Sequence, residues 1–157
     1  MSFGYSADEM VLEYISFKVR AGQMAAFVGS TGAGKTTLVD LVPRFYDATK
    51  GSINIDGVDI REVTLESLRK QIGIVNQEIL MFNDTIENNI CYGNPEIEPG
   101  DRVKAAKAAH AHAFILDQPN GYKTTVGDLG SLLSGGQRQR IAIARAIAVN
   151  PSILILD

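Results

Sequence analysis

The sequence predicts an α/β fold with a largely parallel sheet, an N-terminal antiparallel β region and an inserted helical subdomain. Three observations predict it. Short apolar strands alternate with helical stretches along the chain, the pattern of strand–helix–strand units. The early part also carries period-two segments and an Asp-Gly turn signal, which are the marks of antiparallel pairing. From Asp84 onward the pattern turns helical before a last apolar strand, "ILIL", at Ile153–Leu156.

The elements follow in order. In "VLEYISFKV" the residues Ile15, Phe17 and Val19 share one face at period two, and "GSINIDG" ends on Asp56-Gly57, so a hairpin region is expected early. "MAAFV", Met24 to Val28, reads as a short apolar strand, and Pro43 ends the helix that follows it. Asp84 is placed to cap "TIENNI". After the loop signal "GNPEIEPG" comes the alanine-rich helical stretch "DRVKAAKAAHAHAF". In "GGQRQRIAIARAIAVNP", one stripe holds Ile141, Ala144 and Ala148 and another Ile143, Ala146 and Ile147, as in a helix buried on more than one side.

Composition narrows the function. The chain has 157 residues, 45% hydrophobic and 21% charged, which suits one globular domain able to bury about 70% of its unfolded surface. A net charge of -3 gives no nucleic-acid bias. Apolar runs are interrupted, for example by Arg145, and fall short of the ~20 residues that span a bilayer. The start "MSFGYSADEM" lacks the basic and apolar regions of a signal peptide. The single cysteine, Cys91, forms no internal disulfide, so a reducing cytoplasm is expected and Cys91 is read as a small buried or half-buried side chain. His110 and His112 are read as structural, because two histidines at i, i+2 face apart and make no metal site.

The strand "MAAFV" runs into "GSTGAGKTT", which fits the phosphate-binding pattern G-x-x-x-x-G-K-[ST] between a strand and a helix. Its residues Gly29, Ser30, Thr31, Gly32, Ala33, Gly34, Lys35, Thr36 and Thr37 are the candidate nucleotide site. Gly29, Gly32 and Gly34 permit positive φ and close approach, so that backbone N–H groups converge on a phosphate at the helix start. Lys35 supplies a point charge to the β- and γ-phosphates, Thr36 a hydroxyl for Mg²⁺, and Thr37 a donor near the α-phosphate. A second motif, Ser134 to Gln137, has the S-x-x-Q form of a capping box: Ser134 caps the next helix and Gln137 reaches back, while Gly135 and Gly136 keep the first turn open. Such an open helix start is also an anion site.

The phosphate loop "GSTGAGKT", the signature "LSGGQ" and the strand "ILILD", in that order, resemble the nucleotide-binding domain of an ATP-binding cassette transporter over the whole chain. "FYDATKGSINIDGVDIREVTLESLRKQIGIVNQEILMFNDTIENNI" and "TTVGDLGSLLSGGQRQR" look like the exporter branch. The resemblance implies a P-loop NTPase core binding ATP and Mg²⁺, with residues 84–133 as the inserted helical subdomain of a single, incomplete domain spanning 1–157.

It further implies that Tyr5 stacks on adenine, that Gln77 touches Mg²⁺ and the attacking water, and that Asp157 holds Mg²⁺ through its water shell. Lys35, Gln77 and Asp157 are then the catalytic set, and Thr36, Gln77 and Asp157 the metal set. Ser134, Gly135, Gly136 and Gln137 meet the γ-phosphate of ATP held by a second, head-to-tail nucleotide-binding domain. A transmembrane domain on the same polypeptide, at the cytoplasmic face of a membrane, is the other implied partner. Asp128 stands where exporters more often carry glutamate, in a loop that faces the membrane domain; Gln118 stands where an apolar residue is more usual.

In the family a glutamate that polarises the attacking water follows the strand aspartate, and a partner-contacting loop and a sensing histidine come later. The expectation is therefore of a chain cut after Asp157, binding ATP with little or no turnover, whose intact parent hydrolyses ATP to drive export. A cassette ATPase of the DNA-repair or chromosome-structuring kind is the alternative. It would need a long coiled coil between Thr36 and Ser134, and no sustained heptads are present there. A nucleotide-binding regulator without a transport partner is a third reading.

Overall fold

The computed structural model describes residues 1–6, 9–94 and 96–157. The chain divides into two compact units, Met1–Arg69 and Lys70–Asp157. Each has its own core.

In the first unit, helix α1 spans Lys35–Leu41 and is followed by a hairpin of β1 (Asn54–Ile55) and β2 (Val58–Asp59). Asn54 pairs with Asp59 and Ile55 with Val58. The two turn residues, Asp56 and Gly57, have φ of 51° and 84°, the mirror-image turn that matches the twist of paired strands and that Asp-Gly favours. Helix α2, Leu65–Lys70, is fastened to the chain after α1 by Arg69, whose Nε donates to Pro43 O at 3.0 Å and whose Nη2 donates to Arg44 O at 3.1 Å. Phe3, Leu12 and Leu41 form the buried centre, with Val11, Ile15, Leu38 and Ile53 packed on it.

Two expected strands are not formed. Residues 11–19 make one isolated bridge among the described residues, Leu12 with Phe3, and residues 24–28 have no strand structure. An extended segment becomes a strand only when its N–H and C=O groups find a neighbour. No described residue pairs with 24–28, and Met24 and Val28 are almost fully exposed. Apolar alternation indicated the extended conformation but says nothing about where a partner lies.

In the second unit, β3 (Ile72–Val75) pairs in parallel with β4 (Ile153–Leu156), in the register Ile72–Ile153 to Val75–Leu156. The parallel pair and the antiparallel hairpin are the two kinds of sheet the α/β reading requires. Strand β3 is mostly buried, whereas β4 alternates, with Leu154 and Leu156 exposed. Between the strands lie α3 (Ile86–Ile90), α4 (Pro99–Ala108), α5 (His112–Leu116) and α6 (Gly135–Ala148).

Helix α6 is the spine. Ile141 and Ala144 have no exposed surface, and the core around them gathers Val75, Met81, Ile86, Ile90, Ala106, Ile115 and Val126. The helical region is more broken than its composition suggests. Its first helix is capped by Thr85, whose side chain accepts from Asn88 N, and not by Asp84. Asp84 instead accepts from Thr85 N at 2.6 Å and from the Asn88 amide at 2.9 Å, one residue before the capping position. The alanine-rich stretch divides at His110, which adopts φ 54° between α4 and α5. His112 Nδ1 lies 2.9 Å from the Tyr122 hydroxyl, a structural contact for one of the two histidines. Cys91 is buried and free.

The seat of β3 on α6 is tight at Gly73, where an added Cβ would stand 2.6 Å from Ala146 O and 2.8 Å from Pro151 Cγ. Gly73→Ala is therefore expected to lower stability by about 1–3 kcal/mol, the usual cost of overpacking. An unchanged urea midpoint would contradict this seat.

Candidate functional site

The phosphate loop is built by backbone conformation. Gly32 and Gly34 have φ of 82° and 81°, a region that side chains rarely enter. Gly34 has a second reason to be glycine, since an added Cβ would lie 2.8 Å from Leu12 Cδ2 in the core. Gly29 meets one half of the expectation, close approach, and not the other: it does not take positive φ, and an added Cβ would lie 3.2 Å from Ala33 Cβ. Its role is the close passage of the loop across itself. Helix α1 begins on Gly34, which has no side chain to cap the first turn. Lys35 Nζ folds back and donates to Gly29 O at 3.0 Å and Ser30 O at 2.8 Å. The ammonium is thus held on the carbonyls of its own loop.

Tyr5 joins this loop. Its hydroxyl lies 3.0 Å from Thr37 Oγ1, and Thr37 is buried at the foot of the loop. The Tyr5 ring is half exposed and meets Phe3 and Tyr46 edge-on, with centroids 5.0 Å and 5.2 Å away and interplanar angles of 83° and 86°. Edge-to-face contacts are favourable for aromatic quadrupoles and hold a ring in orientation. Tyr46, which the sequence reading did not single out, completes this aromatic cluster; its signal was the aromatic pair in "RFYD".

The other expected residues lie in the second unit. Gln77 follows β3 and Asp157 follows β4, both exposed. Because the strands run parallel and in register, and Asp157 N donates to Val75 O at 3.0 Å, the two residues emerge at the same, C-terminal edge. That edge is where ligands sit in parallel α/β sheets.

The signature turn has its capping box. Ser134 Oγ accepts from Gln137 N at 3.3 Å, and Gln137 Oε1 accepts from Ser134 N at 2.8 Å. An added Cβ at Gly136 would meet nothing within 4 Å, and at Gly135 only the Arg138 guanidinium at 3.9 Å. The fold itself does not require glycine at either position. Arg138 steadies the turn from within by donating to Leu133 O at 2.7 Å and Gly130 O at 3.3 Å. Asp128 accepts from the Asn83 amide at 2.6 Å. Burial holds the Arg145 guanidinium, further along the same helix, below its ordinary pKa.

Among the described residues no group of three or more His, Cys, Asp and Glu could hold a metal by itself, and no helix is long and apolar enough to cross a membrane. Comparison with known proteins gives the family. Residues 12–157 match the family model described as ABC transporter. The chain belongs to the ABC transporter family.

It is 57% identical over its full 157 residues to the ATP-dependent lipid A-core flippase of Syntrophus aciditrophicus, and covers 26% of that protein. It is 51% identical to the putative multidrug export ATP-binding/permease protein YgaD of Bacillus subtilis, covering 27% of it. Among solved structures, a bacterial Atm1-family ABC exporter with ATP bound matches with a TM-score of 0.94 and 49% identity, over 99% of this chain and 27% of that one. The chain thus spans about a quarter of the length of the curated relatives it matches.

The signature geometry separates two effects of substitution. Ser134→Ala is expected to cost about 1 kcal/mol through the lost cap. Gly136→Ala, facing open space, should leave stability unchanged or raise it by up to ~1 kcal/mol. Chemical denaturation of both variants checks this, and a marked loss in Gly136→Ala would mean that the fold itself needs that glycine.

Proposed function

We propose that this chain binds ATP and Mg²⁺ through residues 29–37, and that the whole protein hydrolyses ATP to drive export across a membrane. The observation that carries the proposal is Lys35 held 2.8 Å and 3.0 Å from two carbonyls of a loop whose Gly32 and Gly34 are left-handed. A phosphate arriving at the start of α1 accepts from the N–H groups of that turn and draws the ammonium onto its own oxygens, exchanging neutral acceptors for a charged one. Tyr5, steadied by Phe3, Tyr46 and the hydroxyl contact to Thr37, presents its ring to adenine.

The residues fit magnesium by their donor chemistry. Thr36, Gln77 and Asp157 offer only oxygen, which suits a hard cation that keeps several waters and leans on substrate phosphates. The cation would neutralise charge on the transferring phosphoryl group, and Gln77 would orient the water that attacks it. The open glycines at 135 and 136 support a role for Ser134–Gln137 on the γ-phosphate held by a second nucleotide-binding domain, paired head to tail. A transmembrane domain in the same protein and a place at the cytoplasmic face of the membrane complete the reading. The names of the relatives, a flippase and a multidrug exporter, support it.

Lys35→Ala is expected to weaken ATP binding about ten- to hundredfold, the loss of one charge-assisted contact. Calorimetric titration of a folded variant tests this, and unchanged affinity would remove the phosphate-loop assignment. Tyr5→Ala should weaken ATP by about five- to a hundredfold while Tyr5→Phe stays within a few-fold of the parent. Equal affinity in all three chains would take Tyr5 out of the adenine site.

A further inference from the structure

Helix α6 carries two arginines seven residues apart, Arg138 and Arg145, which places them on one face two turns from each other. Ile141 and Ala142, both buried, lie between them. Arg138 grips the turn that leads into the signature, as described above. Arg145 grips the segment that follows Gln77. Its Nη1 donates to Leu80 O at 2.9 Å, its Nε to Asn89 O at 2.7 Å and its Nη2 to Asn89 Oδ1 at 3.0 Å. Its Cζ lies 5.6 Å from the ring centres of both Phe82 and Tyr92, which stack on each other at 3.8 Å.

These three acceptors are neutral carbonyl oxygens. A half-buried guanidinium facing neutral groups gives up hydration without the gain of a carboxylate, so packing alone gives no reason to prefer it over an apolar side chain. Its planar fork, however, satisfies several oxygens at fixed angles, which neither an apolar side chain nor lysine reproduces.

The hydrogen bonds close a circuit. Fully buried Asn89 accepts from Phe82 N at 3.0 Å and donates to Phe82 O and Thr85 O at 2.9 Å and 3.0 Å, which folds residues 82–89 into one turn. That turn is tied to the segment before the signature: Ile86 N donates to Thr124 O at 2.9 Å, Val126 N to Asp84 O at 3.0 Å, and Asn83 to Asp128. The segment continues to Gly130 and Leu133, which Arg138 binds back to α6. Both ends of the circuit therefore rest on one helix.

We propose that Arg145 is a positioning residue: its fork locks residues 80–89, the segment after Gln77, to the helix that carries the signature turn, so that this segment and Ser134–Gln137 are anchored on one support. This deepens the nucleotide reading and rests on it for its purpose. The test is amide hydrogen exchange on the 157-residue chain and its R145K variant, with ATP affinity measured in parallel. R145K keeps the charge and loses the fork. Exchange should speed up at least tenfold at residues 80–92 and 131–138, while α1 and α4 keep their rates and ATP affinity stays within twofold.

Exchange in R145K equal to that of the parent would overturn the proposal, as would uniform loosening across residues 70–157, the mark of a general loss of packing. A parent chain that fails to bind ATP, with loosening still confined to the two segments, would overturn the nucleotide reading and keep the clamp. If R145K does not fold, the parent decides. The Arg145 Nε–H proton should exchange slowly and resonate upfield of the other arginines under the Phe82 and Tyr92 rings, and an ordinary, fast-exchanging signal would sink the proposal.

Discussion

A helix that begins on or beside glycine exposes its first backbone N–H groups, and both motifs of this chain are organised around that constraint. Helix α1 starts on left-handed Gly34 with no side-chain acceptor. Helix α6 starts beside Gly135 and Gly136 with Ser134 closing one N–H and leaving the surface clear. A partial positive charge collects at such an end. The rest of each unit serves to hold its helix start in place. In the first unit Leu12 closes against Gly34 while Tyr5 reaches Thr37. In the second, Arg138 fixes the turn from below.

The two starts are built differently, in keeping with the roles proposed for them. Lys35 sits on α1's own loop, so that start has its counter-charge at hand and suits an anion held strongly by one chain. Helix α6 has its cap already satisfied and offers open space above its glycines, which suits a ligand delivered on another surface. Stiffness in the second unit comes from the buried Ile141–Ala144 core together with polar groups that face carbonyls, Asn89 above all. A fully satisfied buried amide fixes one geometry where apolar contacts tolerate several.

What could be read from the sequence was local. The phosphate loop, the Ser134–Gln137 box, the Asp56-Gly57 turn and the apolar stripe through Ile141 each depend on residues within a few positions of one another, and each is present. Pairing was not legible: "MAAFV" has strand composition, yet a strand needs a partner that no local pattern names. The cap at Thr85 in place of Asp84 turned on one residue, a shift that two adjacent capping side chains leave open. Of the two uses read into Gly29, positive φ and close approach, the structure shows the second and not the first. The Arg145 contacts to Leu80 and Asn89 span 65 and 56 residues, beyond any periodicity argument. Tyr46 was invisible for the same reason, since its value is its angle to Tyr5.

The central claim is that the open start of α1 and the left-handed loop before it receive a nucleotide's phosphates. The most direct measurement is a residue-resolved map of backbone amide shifts on titrating the chain with ATP and Mg²⁺. The account predicts that the largest shifts fall on Ser30 to Thr37, saturating together with changes in the Tyr5 ring signals. Saturable ATP binding that leaves those amides unmoved, or no saturable binding at all by a folded chain, would contradict it.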